Sequence, residues 1–347
     1  MTKEIKNKRP MIVGWIMGFG AVIIYSLINV FGQLAHSFDA IDGLIFASIF
    51  TTTKEISASI TYFLIGNPYK KLKNIIDIFR KNKKKSMLAS IAGICGGAIG
   101  FTLTTAGGIY VGSGLASPFY SIEIIIVFLG SKFLFKRNLT LKQKIGILII
   151  FISIALIPIL DQVIYESKGI SKKSIIGIIL IIIGVFFWSI ESLIFDKITN
   201  DNNVGVLELV FLKQIASTLV CLIFVIPLFS LIQEHSYTRG YSEFGKMFGE
   251  HWKSLLICLA AGTLLICGRY LFFMSVKNIG SVAGNVAYNS ISFIQLPLSA
   301  IANVIDPREI NYLGNIHHEY FWVLLSLIMF SIGLIMYEQI KNNKIRI

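Results

Sequence analysis

Ten apolar runs divide the chain, and they limit its fold more than any other feature of the sequence. Each is about 20 residues long, the length an α-helix needs to cross a hydrocarbon core of about 30 Å. Hydrophobic residues make up 54% of the chain and charged residues only 15%, unlike a soluble domain. The sequence therefore predicts an all-α membrane protein with ten transmembrane helices. The runs cover residues 12–34, 43–64, 87–110, 115–135, 145–163, 174–196, 206–230, 253–276, 281–305 and 320–340.

The distribution of Lys and Arg predicts how the chain is oriented. The N-terminal stretch before the first run is basic, and so are the connections 66–86 and 132–144. Because basic loops stay in the cytoplasm, both termini are predicted to be cytoplasmic in a multi-pass protein of the plasma membrane. The net charge of +13 lies mostly in short loops beside membrane segments, where anionic lipid explains it. We therefore predict membrane lipid, and not nucleic acid, as a partner.

The two halves of the sequence resemble each other. GWIMGFGAVIIYSLIN from Gly14 aligns with GIILIIIGVFFWSIES from Gly177, and KSMLASIAG from Lys85 aligns with KSLLICLAAG from Lys253. Because five helices per half is an odd number, the second half must enter the membrane upside down. This is the inverted-repeat plan of many secondary transporters, whose substrate site lies between the repeats. The predicted repeats are residues 1–165 and 166–347.

Ionisable side chains inside the apolar runs are the first candidates for function, because a charge in hydrocarbon costs roughly 2.5 to 3.5 kcal/mol on insertion scales. Lys54 in TTKEISAS and Lys213 in FLKQIAST occupy matching positions of the two halves. Either these groups form neutral pairs that lock helices together, such as Glu191 with Lys213 or Arg269, or they line a pathway. The second alternative predicts substrate binding by Lys54, Lys213 and Arg269, and charge balance or proton coupling by Glu55, Glu123 and Glu191.

Aromatic and amide side chains in the same runs suit a pocket for a small polar or zwitterionic ligand. Each of them taken singly is more often a packed ring or an interhelical hydrogen bond. The substrate-binding candidates of this kind are Tyr25, Asn29, Tyr120, Trp188 and Asn289.

Enzymatic and cofactor chemistry find little support in the sequence. The four cysteines have no metal-type spacing, and neither an HExxH nor a GxSxG motif is present. We therefore predict no cofactor, no metal site and no enzymatic activity, and keep an intramembrane enzyme only as a remote alternative.

The glycine-opened helices at 14–29 and 177–192, with PFYSIEIIIVFLGSKFLF from Pro118 and LTLKQKIGILIIFISIAL from Leu139, resemble the drug/metabolite transporter superfamily, EamA-like branch. The resemblance covers nearly the whole chain. It implies ten helices, with the fifth and tenth peripheral to the pathway. The acidic residue that the family often carries after its fourth helix is absent from KFLFKRNLT, which leaves the so-called multidrug efflux subgroup open.

These observations together predict a secondary transporter that works by alternating access and exports a small anionic or zwitterionic metabolite. The alternative within transport is proton-coupled efflux of lipophilic cations through Glu191 or Glu123. The sequence leaves a monomer and a homodimer equally open. The two matched lysines differ in their neighbours, Glu55 against Gln214, and this asymmetry is where we expect coupling.

Overall fold

The computed structural model describes residues 3–38, 41–136, 140–164, 172–199, 205–305 and 319–345. Within these ranges the protein is helical throughout and contains no strand. The helices overlap all ten apolar runs of the sequence. Two π-helical stretches, Gly93–Gly100 and Cys221–Val225, continue one helix into the next.

The helices are α1 (Lys3–Ser37), α2 (Gly43–Leu64), α3 (Pro68–Lys81), α4 (Lys83–Ala92), α5 (Phe101–Val111), α6 (Ser113–Tyr120), α7 (Ile122–Phe135), α8 (Leu141–Ile164), α9 (Lys172–Thr199), α10 (Val206–Val220), α11 (Ile226–Glu234), α12 (Arg239–Lys246), α13 (Trp252–Tyr288), α14 (Ile291–Ile305) and α15 (Glu319–Ile345).

Several of these helices are long and apolar enough to cross a membrane. Large apolar side chains such as Ile16, Leu64 and Phe224 are exposed on them, as a surface that faces lipid requires. The prediction of an all-α, multi-pass membrane protein is therefore confirmed. Six stretches of the described residues meet the length and hydropathy of a span, namely Met11–Ser37, Lys83–Val111, Ser113–Leu134, Lys172–Thr199, Val206–Glu234 and Trp252–Tyr288.

The basic connection between the second and third apolar runs contains the amphipathic helix α3. Its first turn is capped because the Asn67 side chain accepts a hydrogen bond from the Lys70 backbone N–H at 3.2 Å, and Pro68 occupies the first turn, where its missing N–H is harmless. Ile75 and Ile78 are buried, whereas Leu72, Ile76 and Phe79 are exposed. This row of exposed apolar side chains among lysines is typical of a helix on a membrane surface.

Two glycines with positive φ interrupt the helical path at corresponding places. Gly112, with φ of 87°, separates α5 from α6, and Gly280, with φ of 83°, breaks α13 in two. Only glycine adopts this backbone region without strain. In both places a serine follows and a short helix restarts, which ends at Tyr120 in one case and at Tyr288 in the other.

The helices pack around a centre built from both halves of the chain. Helix α1 lies along α13, and α9 lies along α5. Helices α8 and α15 pack mainly against each other, away from this centre. The arrangement brings α1, α2, α5, α7, α9, α10 and α13 around one buried polar region.

Candidate functional site

Six ionisable side chains are buried at the centre of the helix bundle. They come from five helices of both halves of the chain, and all but Glu191 are at most 2% exposed. Charged groups are rarely buried to this degree unless they are paired. The six are Lys54 and Glu55 in α2, Glu123 in α7, Glu191 in α9, Lys213 in α10 and Arg269 in α13.

Two ion pairs account for four of the six groups. The guanidinium of Arg269 donates from both terminal nitrogens to the two carboxylate oxygens of Glu55, the fork geometry that makes such pairs strong and specific. The ammonium of Lys213 donates to Glu191. One of the two pairings expected for Glu191 is therefore present, whereas Arg269 pairs with Glu55 instead, joining α13 to α2.

Lys54 is bound differently from its sequence counterpart Lys213. Its ammonium nitrogen lies 2.8 Å from the centre of the Phe101 ring and 5.3 Å from that of Phe50, a cation–π arrangement. It has no hydrogen-bond partner within the described part of the chain. Lys54 is thus held by aromatic faces, and its hydrogen-bonding capacity is unused.

Glu123 is the carboxylate that the ion pairs leave out. It makes no salt bridge with any described residue, and it accepts a hydrogen bond from Ser192 Oγ at 2.9 Å through Oε1. Its other oxygen, Oε2, is buried and has no hydrogen-bond partner among the described residues. Because an unpaired buried charge is costly, this carboxyl group is the one whose environment most favours binding a cation or a proton.

A buried cavity of about 30 Å³ lies among these groups. It is large enough for one or two water molecules. The lining combines five aromatic side chains with both signs of charge, and the rings contact each other, with Tyr25 against Tyr288 at 5.2 Å and Phe101 against Trp188 at 5.5 Å between ring centres. The lining residues are Tyr25, Phe101, Glu123, Trp188, Glu191, Ser192, Lys213, Arg269, Phe272 and Tyr288.

The glycines of the third apolar run place these groups close together. The Trp188 indole N–H donates to the Gly96 carbonyl at 3.0 Å, which is possible because helix α9 approaches the backbone there. A Cβ at Gly96 would overlap the Glu191 carboxylate, and a Cβ at Gly93 would overlap the Lys213 carbonyl oxygen. The glycine pattern thus packs α9 and α10 against this run and brings their charged residues to the centre.

The structure brings together some of the residues predicted from sequence and separates others. Six of them line the central cavity, whereas Lys54 and Glu55 lie behind its wall and Asn289 does not line it. Asn29 and Tyr120 line a smaller cavity of about 10 Å³, where the Asn29 amide donates to Gln295 at 3.2 Å. The six in the central cavity are Tyr25, Glu123, Trp188, Glu191, Lys213 and Arg269.

Four residues of the cavity wall and one buried acid were not among the candidate site residues. Phe101, Phe272, Ser192 and Tyr288 line the cavity, but a single Phe, Ser or Tyr in an apolar run carries little signal of its own. Asp196 is fully buried and accepts hydrogen bonds from Ser281. A signal for Asp196 did exist, since the interval that relates Gly14 to Gly177 also relates Gln33 to Asp196.

Fold and site together define a class, the multi-pass α-helical membrane proteins with a charged and aromatic cavity enclosed by their helices. Within that class, residues 12–159 match the model of the EamA-like transporter family, a part of the drug/metabolite transporter superfamily. This match confirms the resemblance over residues 12–159. No curated protein matches the chain.

A solved structure described as "Crystal structure of protein" has a similar fold. The two chains align with a TM-score of 0.55 at 15% identity, over 92% of this chain and 94% of the other. At this identity the likeness concerns the fold alone. It extends over both halves of the chain, beyond the residues that the family model covers.

Proposed function

We propose that the protein is a secondary transporter that moves a small zwitterionic metabolite across the membrane by alternating access. The observation that carries the proposal is the enclosed cavity, which lies between helices of the two halves and presents both signs of charge beside aromatic rings. Transporters built from two repeats hold their substrates at such a junction. Under this proposal the protein moves its substrate without changing it chemically.

The proposal includes ten crossings arranged as two inverted repeats, residues 1–165 and 166–347. Support comes from helix contacts that recur when the halves are exchanged. Helix α1 packs on α13 and α14, as α9 packs on α5 and α7. Helix α2 packs on α13, as α10 packs on α4. A two-fold relation between the halves produces such reciprocal contacts.

The free donors of the two cavity cations suit the carboxylate of a zwitterion. A Lys ammonium has three N–H donors and a guanidinium has five, and the ion pairs use only part of them. The Nε of Arg269 is buried without a hydrogen-bond partner among the residues described. Because Glu55 and Glu191 already neutralise Arg269 and Lys213, a ligand carboxylate would be bound mainly through hydrogen bonds.

Other groups of the cavity lining suit the ammonium group. The unpaired oxygen of Glu123 offers it a carboxylate, and Trp188 and Tyr288 offer it aromatic faces. Aromatic rings and carboxylates are the usual partners of organic cations. We assign the coupling role to Glu123 because Glu55 and Glu191 are already held in ion pairs.

Transport requires the cavity to open alternately to the two sides. Its present volume of about 30 Å³ is far below the several hundred Å³ that ligand sites provide, so the helices around it must separate before a metabolite enters. We further propose export from the cytoplasm, cytoplasmic termini, the plasma membrane with its lipids as the site of action, and a monomer or homodimer as the working unit.

The substrate class is tested with matched ligands. Purified protein should be stabilised against heat by zwitterionic metabolites of amino-acid size, because a ligand that binds the folded state raises the melting temperature. Analogues that lack only the carboxylate or only the ammonium should bind roughly 30-fold more weakly or worse, because a buried charged partner is left unpaired. Equal stabilisation by the carboxylate-only analogue would contradict the role given to Glu123.

Transport itself is tested in proteoliposomes loaded with the best ligand of that panel. Glu123→Gln should weaken binding roughly 30-fold or more, because the ligand ammonium loses its carboxylate partner, and at saturating ligand its transport should no longer respond to a pH gradient. A Gln variant at Glu208, a partly buried carboxylate on α10 that bonds to Asn74 outside the cavity, serves as the matched control. Full pH-driven transport by Glu123→Gln would remove Glu123 from coupling.

A second candidate function is proton-coupled efflux of lipophilic cations. The five aromatic rings and the unpaired Glu123 carboxylate favour it. It predicts that cells expressing the protein survive cationic dyes and that Glu123→Gln removes the protection. The zwitterion model predicts no dye protection by either protein.

A further inference from the structure

Two pairs of serines join the short helices that follow the positive-φ glycines to the opposite half of the chain. Ser113 Oγ lies 2.9 Å from Ser299 Oγ, and Ser131 Oγ lies 3.4 Å from Ser281 Oγ. The same interval of 168 residues separates Ser113 from Ser281 and Ser131 from Ser299. Exchanging the two halves of the chain therefore converts one hydrogen bond into the other, as it does for contacts across a two-fold axis.

The backbone at both pairs is built in the same way. Ser113 follows Gly112 and Ser281 follows Gly280, and each serine begins a new stretch of helix. Each serine is bonded to a partner in the other half of the chain. The partners are Ser131 in α7 and Ser299 in α14. In the proposed topology the Ser113 pair lies toward the outside and the Ser131 pair toward the cytoplasm, so that one pair closes each end of the pathway.

The two ends differ in the polar residue that precedes the latch in the matching helices, and only at the cytoplasmic end does that residue bond to the serine. At the cytoplasmic end, Asp196 accepts hydrogen bonds from Ser281 Oγ at 2.6 Å and from Ser281 N–H at 3.2 Å. The matching residue at the outer end is Gln33, whose amide donates to the Gly108 carbonyl at 2.9 Å. A carboxylate acceptor makes a stronger hydrogen bond than a neutral pair does.

We propose that these groups are the latches of alternating access: an inner latch formed by Ser131 and Ser281, and an outer latch formed by Ser113 and Ser299. Asp196 positions Ser281 for the inner latch. This inference rests on the proposed transport function and adds to it the residues that set the resting state.

The test uses a thiol placed in the cavity wall. Ser192→Cys is introduced after the four native cysteines, Cys95, Cys221, Cys258 and Cys267, are replaced by serine or alanine. A membrane-impermeant maleimide is applied to right-side-out and to inside-out vesicles. The ratio of cytoplasmic to external labelling rates is measured, because a ratio cancels any change in the intrinsic reactivity of the thiol.

Asp196→Ala should raise this ratio roughly tenfold or more, since a hydrogen bond to a charged group is lost from the inner latch. Ser299→Ala, which removes the outer hydrogen bond to Ser113, is the matched control and should lower the ratio. Ser281→Ala, a smaller change that keeps the backbone N–H, should shift the ratio in the same direction as Asp196→Ala and covers the case in which Asp196→Ala does not fold.

An unchanged ratio in folded Asp196→Ala or Ser281→Ala, or a shift in the same direction in Ser299→Ala, would overturn the latch assignment while leaving transport in place. Labelling from neither side in every variant would instead overturn alternating access itself, and the latches with it. The measurement needs no substrate, so the two failures are distinguishable.

Discussion

Replacing Arg269 with Gln should lower the free energy of unfolding by about 3 to 5 kcal/mol, the usual cost of removing one partner from a buried ion pair. The Glu55 carboxylate would then be left in the bundle without the guanidinium that binds both of its oxygens. Arg269→Lys should recover only part of the loss, because an ammonium lacks the planar fork. Unfolding in mixed detergent micelles measures these differences.

The double variant Glu55→Gln/Arg269→Gln identifies the cause. With both charges gone, the loss should be clearly smaller than the sum of the two single losses, because neither partner is left charged and unpaired. Lys81→Gln is the control, since Lys81 lies 4.0 Å from Asp77 and both side chains are exposed. Such a pair contributes at most about 1 kcal/mol. Additive losses in the double variant would show that the two residues stabilise the fold independently.

The sequence predicted the helices and the buried charges for one physical reason. Apolar runs of about 20 residues have few alternatives to a membrane helix, and an ionisable residue inside one must be compensated. Lys54, Glu55 and Glu191 were therefore recognisable as buried groups from their positions in the apolar runs.

The partners of those charges were not predictable from sequence. Pairing depends on the rotation of each helix about its axis, and segment ends uncertain by several residues leave that rotation open. The sequence offered Arg269 as a partner of Glu191, but it pairs with Glu55. Lys54 and Lys213 occupy matching positions, yet one is covered by the Phe101 ring and the other binds Glu191. Only the packing of neighbouring helices decides between these outcomes.

Gly93→Ala and Gly262→Ala should each lower the free energy of unfolding by about 1 to 3 kcal/mol or more, the cost of overpacking a tight contact. A Cβ at Gly93 would overlap the carbonyl oxygen of Lys213, and a Cβ at Gly262 would overlap that of Lys54. Both carbonyl oxygens belong to the backbone, so no side-chain rotation can relieve the overlap. The two glycines end the aligned segments from Lys85 and Lys253, and they contact the two matched lysines.

Gly333→Ala in helix α15 is the control, because nothing lies within 4 Å of the added Cβ. There alanine should be neutral or stabilise by up to about 1 kcal/mol, since it restricts the unfolded chain more than glycine does. The sign of the effect thus separates close packing from helix propensity. Similar losses at Gly93 and Gly262 would support equivalent packing in the two halves. A loss at Gly93 with none at Gly262 would contradict the two-fold relation on which the inverted repeat and both latches depend.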